Sequence, residues 1–219
     1  MPPMHNLRAL VALALAVLGA APAAAQPVPA EGRLDYAIMR QGDQVGTHTI
    51  TFRREGDRVI VDIAVDAQVR VLGITAYRFN QRSSETWRDG RLLALDSTGN
   101  NDGTAFALRA READGGLVVE AHGRSTRWPA DTVPTDVWNP LQLQRSVLLN
   151  SLDGTALRAT VRDLGERTFT VQGRTVTARG SYLDATSEYQ RSLWFDATGR
   201  LVHLEMHGRD GSLVEYRLR

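Results

Sequence analysis

Tyr77, Phe79, Gln81, Ser83, Glu85 and Trp87 occupy alternate positions of one run. On a β-strand such residues share a face. That face begins and ends aromatic and carries three polar groups between, while Arg78, Asn80, Arg82, Ser84, Thr86 and Arg88 point to water. Polar groups on a packed face cost stability unless they are paired or wet. A concave ligand site, largely apolar with a few convergent polar groups, accounts for the pattern. These six are the candidate ligand-binding residues. The plainer alternative pairs Glu85 with an arginine of a neighbouring strand, and Gln81 and Ser83 with backbone or water. If the protein were an enzyme working through carboxylates, Glu85 would be its candidate general base.

A second constellation is His203-Leu204-Glu205-Met206-His207. In a strand His203, Glu205 and His207 line one face, and adjacent pairs could chelate zinc. The outer two histidines lie about 13 Å apart at strand rise, too far to share one ion. With Val202, Leu204 and Met206 on the other face, the polar trio reads as a solvated sheet face, and no metal site is assigned. Asp96 to Gly103 is rich in oxygen ligands but lacks the EF-hand spacing, and reads as a hairpin loop. There is no Gly-x-Ser-x-Gly elbow, His-Glu-x-x-His, phosphate loop or dinucleotide fingerprint. No catalytic residue is therefore assigned and no cofactor is expected. The chain has no cysteine and no lysine, which excludes thiol, disulfide and Schiff-base chemistry.

Strands must position these groups. Val59, Val61, Ile63, Val65, Ala67, Val69 and Val71 alternate with mostly polar residues, marking a long half-buried strand. Shorter alternations recur along the chain, and Asp-Gly pairs at 89–90, 102–103, 114–115, 153–154 and 210–211 punctuate them. Asp-Gly tolerates the positive φ of tight hairpins, so these pairs should join antiparallel neighbours. About ten to twelve strands are expected, enough for a curved sheet or open barrel. One segment breaks the rhythm. Asn139-Pro140-Leu141-Gln142 offers an N-cap, a proline at N1 and a glutamine at N3, predicting an amphipathic helix over 139–150.

The amino-terminal 25 residues carry Arg8, an apolar run from Leu10 to Leu18, and the exit Ala23-Ala24-Ala25. This predicts a secretory signal peptide cut after Ala25 and a soluble periplasmic or secreted product without a membrane anchor. Residues 26–219 are expected to form one domain. They hold 25 arginines and 25 acidic residues, interspersed, so no basic stripe points to nucleic acid or an anionic membrane.

Tyr36-x-Ile38 with Gly42 and Val45-Gly46, Ser84-Glu85-x-Trp87-x-Asp89-Gly90-x-Leu92, Trp138-Asn139-Pro140, and the closing Trp194-x-Asp196 with Gly199-x-Leu201 resemble an uncharacterised family of exported bacterial proteins. The architecture also resembles the periplasmic half-barrels that include the LolA and LolB lipoprotein carriers. That resemblance implies a curved antiparallel sheet wrapped around an apolar cavity, with helices covering it. The expectation is an all-β fold, a strongly curved antiparallel sheet or open half-barrel with one helix on its concave side. The expected function is non-enzymatic binding of a lipid or other apolar ligand in the cell envelope. The alternatives are a structural or interaction domain with a filled core, and a carboxylate-dependent enzyme. Oligomeric state cannot be read from the chain.

Overall fold

The computed structural model describes Val28 and residues 32–186 and 189–219. The leader expected over residues 1–25 lies outside them. Fifteen strands form among the described residues, more than the alternation alone predicted. The first eight are β1 (Arg33–Arg40), β2 (Asp43–Glu55), β3 (Arg58–Val71), β4 (Ile74–Arg88), β5 (Arg91–Asn101), β6 (Thr104–Ala113), β7 (Gly116–Ala121) and β8 (Arg124–Trp128). A connecting segment carries the short β9 (Val147–Leu149) and β10 (Ala156–Arg158). The chain ends with β11 (Thr160–Val171), β12 (Arg174–Asp184), β13 (Gln190–Asp196), β14 (Leu201–His207) and β15 (Leu213–Leu218).

Thirteen of these make one antiparallel sheet in the order β11-β12-β13-β14-β15-β1-β2-β3-β4-β5-β6-β7-β8, and β9–β10 form a separate hairpin. All five Asp-Gly pairs join antiparallel neighbours, as their turn chemistry requires. The sheet is not closed: β8 and β11 are its edges. One face buries Tyr36, Ile50, Val61, Trp87, Leu95, Leu193 and Leu204, each at 1% exposure or less.

The segment from 129 to 159, which joins β8 to β11, fills that face. Its Val133, Val137, Trp138, Leu148, Leu149 and Leu157 are buried in the same core. Gly154 lies against Ala121, Val119 and Leu108 on one wing. On the other, the Tyr189 hydroxyl donates to the Thr135 carbonyl. Both wings thus meet one plug, and the sheet curls around it. The helix expected over 139–150 is not there. Asn139 does cap a turn, its Oδ1 accepting from the Leu141 N–H at 3.0 Å, and Pro140 follows as N1. The turn is a 3-10 segment, Pro140–Gln144, ended by an extended Arg145 (φ −115°, ψ 137°). Leu148 and Leu149 are both fully buried, which suits a two-sided core strand, and β9 pairs with β10 instead of continuing a helix. This turn is the only helical segment among the described residues, so the helical cover implied by the carrier resemblance is replaced by a loop and hairpin. No helix among them is long and apolar enough to cross a membrane.

The other face is covered locally. β13 pairs with β12 only over Ala178–Asp184, so the outer β11–β12 hairpin lies as an arm across β14. Phe169 stacks on His203 at 4.9 Å between ring centroids, and Gln172 Nε2 donates to the Arg219 carbonyl at 2.7 Å.

Candidate functional site

The alternate face of β4 runs from the open mouth of the sheet to the floor under the plug. The six predicted residues share it. At the mouth, Tyr77 is half-buried and its hydroxyl donates to Asn101 Oδ1 at 2.9 Å. Phe79 stacks with Phe106 at 6.3 Å between centroids, and Phe106 lies over Gly99, where no side chain stands in its way. A groove of about 480 Å³ crosses β2, β3 and β4 beside Val45, Ala67 and Phe79, but most of its side chains, Thr47, Asp66, Gln68, Arg78 and Asn80, alternate with the face that carries Gln81, Ser83 and Glu85.

Midway, Gln81 and Ser83 are buried, and so is Ser97, which faces Ser83 across the β4–β5 pair. Gln81 Nε2 donates to the Ser83 hydroxyl at 3.0 Å and to the Ser97 hydroxyl at 3.2 Å, and Ser83 donates to Ser97 at 3.0 Å. The three hydrogen-bond to one another. Nearby, His48 is wedged between Tyr36 and Tyr216, at centroid distances of 5.8 Å and 5.6 Å. Burial drives its pKa down to about 3, with Arg191 adding to the effect, so the ring is neutral. Neither ring nitrogen has a hydrogen-bond partner among the described residues. The Arg191 guanidinium sits 3.8 Å above the Tyr189 ring, and its Nε is likewise unpaired.

At the floor the expected arginine partner of Glu85 is replaced by a carboxyl. Trp87 Nε1 donates to Glu85 Oε2 at 2.6 Å and Trp138 Nε1 to the same oxygen at 3.1 Å. The Asp136 carboxyl is the charged neighbour of Glu85. Glu85 Oε1 and Asp136 Oδ2 are buried without a hydrogen-bond partner among the described residues, and two neighbouring buried carboxyls resist ionising together. Burial pushes Glu85 well above the usual carboxylate range, and the Asp136 charge pushes it further. Burial raises Asp136 too, but neighbouring Glu85, the Arg191 charge and the Ser151 hydroxyl oppose it. Both carboxyls are thus raised, Glu85 the more strongly. A carboxyl pair sharing a proton is capable of acid–base chemistry. Here Glu85 and Trp87 have no exposure and Trp138 has 2%, so the pair is sealed beneath the plug and ties it to β4.

Asp136, Trp138, His48 and Arg191 were missed by sequence reasoning. Asp136 and Trp138 flank Val137 in a loop without periodicity, and only the register of the sheet brings His48 and Arg191 to the concave face. The second constellation is also rearranged. His203 and Glu205 do share a face, with His203 Nε2 3.1 Å from Glu205 Oε1, but the third member is Glu215 from β15, 3.6 Å from His203. His207 is exposed and outside the group. His203 is not solvated, being 5% exposed beneath the β11–β12 arm. Arg167 lies 2.9 Å from Glu205 and Arg217 2.6 Å from Glu215, so guanidinium cations already neutralise both carboxylates. The group is an ion-pair network that pins the arm to β14.

Fold and site together define an open antiparallel β-sheet protein whose concave face is occupied by its own inter-strand connection, with a groove across β2, β3 and β4 at one end. A family model described as a domain of unknown function, DUF6134, matches residues 36–219, and the chain belongs to that family. No curated protein matches the chain.

Proposed function

We propose that the protein binds an apolar or amphipathic ligand in the cell envelope, without catalysing a reaction, and that the groove beside Phe79 is where the ligand enters. The groove itself carries this reading. Its volume of about 480 Å³ falls in the range of small-molecule sites, and it sets Val45, Ala67 and Phe79 among polar side chains that could meet an amphipathic ligand. Phe79 contacts the apolar part of the ligand, Gln44, Arg78 and Asn80 meet a polar head, and Tyr77 stands just outside the lining. Gln81, Ser83, Glu85 and Trp87 lie further along β4, buried and outside the lining of the groove.

The test uses the chain from Gln26, purified from a bacterial periplasm. It is extracted with organic solvent for mass spectrometry, then titrated with a fluorescent apolar probe. Co-purifying lipid or saturable probe uptake is expected, and Phe79→Asp should abolish uptake with the strand content unchanged. A folded Phe79→Asp variant that still takes up the probe refutes the site. A second reading, a structural domain with a filled core, is favoured by the plug itself, which places Trp138 and Leu148 where a deep cavity would be. Wild-type protein that is free of lipid and takes up no probe would establish it.

A further inference from the structure

Seven two-residue hairpin turns among the described residues place a non-glycine residue at positive φ before a glycine. Six of these residues are Gln41, Asp89, Asp102, Asp114, His122 and Gln172; the seventh is Leu72, at φ 51°. The left-handed region suits short polar side chains and disfavours leucine. Leu72 is nevertheless 98% exposed, with Ile74 at 74% and Val71 at 53% beside it. Neither packing nor turn chemistry selects these three residues. They also stand apart from the body. β2 pairs with β3 only as far as Ala67 and β5 with β4 only as far as Phe79, so the end of the β3–β4 hairpin projects as a two-stranded ribbon. At strand rise it extends roughly 13 Å.

The balance of charge over the whole chain conceals a local asymmetry. From residue 67 to residue 84 there is no acidic side chain, while Arg70, Arg78 and Arg82 are all exposed. Arg82 pairs with Asp66; Arg70 and Arg78 make no ion pair among the described residues. We infer that the β3–β4 tip docks on an anionic lipid surface, with Leu72, Ile74 and Val71 entering the headgroup boundary and Arg70 and Arg78 meeting the phosphates. Apolar tip residues, a half-buried tyrosine behind them and arginines around them match the layers of a membrane interface. A protein partner fits less well, because three side chains fall far short of the ~1,200 Å² of a specific protein interface. The tip is continuous with the groove, whose Asp66–Gln68 and Arg78–Asn80 walls are the base of the same hairpin. The docking does not depend on what the groove holds, since it is read by vesicle binding and the groove by probe uptake.

The experiment is flotation of the chain from Gln26, which contains every described strand. Vesicles of phosphatidylcholine alone are compared with equimolar phosphatidylcholine and phosphatidylglycerol. The wild type is expected to float with the mixed vesicles and less with the neutral ones. Leu72→Asn/Ile74→Thr should lower the partition about tenfold or more, and Arg70→Gln about fivefold on mixed vesicles only. Asn suits the left-handed position, so the double variant keeps or raises the melting temperature and loss of binding is not loss of fold. Wild-type protein that floats with neither vesicle, or a double variant that floats as well as wild type, overturns the proposal. A concentration-dependent dimer that only the wild type forms overturns it in favour of self-association.

Discussion

Glu85 keeps its proton because a fully buried carboxylate beside the Asp136 charge is costlier than a neutral acid there. This fixes the sign of a pH dependence. Glu85 and Asp136 are both raised in the folded protein, so the fold binds more protons than the unfolded chain at pH values above the ordinary carboxylate range. The stabilisation is complete below that range and falls as pH rises through the folded values. The melting temperature should decline across that window, and Glu85→Gln should flatten the decline. The glutamine keeps an oxygen for the two indole N–H groups and stays neutral beside Asp136. Glu85→Ala instead strands both indoles and the Asp136 carboxylate, and is expected to cost ~3–5 kcal/mol in denaturant unfolding at neutral pH. A Glu85→Gln protein with the wild-type pH slope would show that the proton is not held there.

Among the elements, β4 was the most legible. Its period of two placed all six candidate residues on one face, because a strand buried on one side writes that burial directly into alternate positions. What its polar members touch was not legible. Ser97 is the register partner of Ser83 and could be found only once β4 and β5 were aligned, and the Glu85 partner comes from a loop. The helix expected over 139–150 failed for a related reason. Asn139 and Pro140 are sound signals for starting a turn, but continuation depends on tertiary partners, and β10 and the core claimed Leu148 and Leu149. Several turns were also hidden, since Gln41-Gly42, Leu72-Gly73, His122-Gly123 and Gln172-Gly173 do the work of Asp-Gly without its signature. Close strand approach gives a sharper test. A Cβ at Gly99 would collide with the Asn80 carbonyl oxygen and the Phe106 ring. Gly99→Ala should therefore destabilise by ~1–3 kcal/mol, through overpacking rather than through φ. Unchanged unfolding would mean that β4 and β5 can separate at the groove without cost.

For the whole molecule, the plug decides how much of the concavity is available. Trp138 makes edge-to-face contacts with Phe52 and Trp87, at 5.3 Å and 5.8 Å between centroids, besides its bond to Glu85. Trp138→Ala is expected to cost ~3–5 kcal/mol. In the remaining folded population it should raise uptake of the apolar probe by opening space under the plug. A variant less stable but no better at taking up probe would place the plug purely in the core and leave the groove as the sole entrance.

The strand order carries one more consequence. β15, the last described strand, is inserted between β14 and β1, with Tyr36 opposite Leu218 and Met39 opposite Glu215. The keystone of the sheet thus follows every other described strand in chain order, and the centre stays unzipped until it has been made. A chain cut short before Leu213 would be left with two half-sheets whose bare edges face each other at β1 and β14. Such edges recruit foreign strands. The sequence from Leu213 onward is where early termination should turn a folded product into an aggregating one.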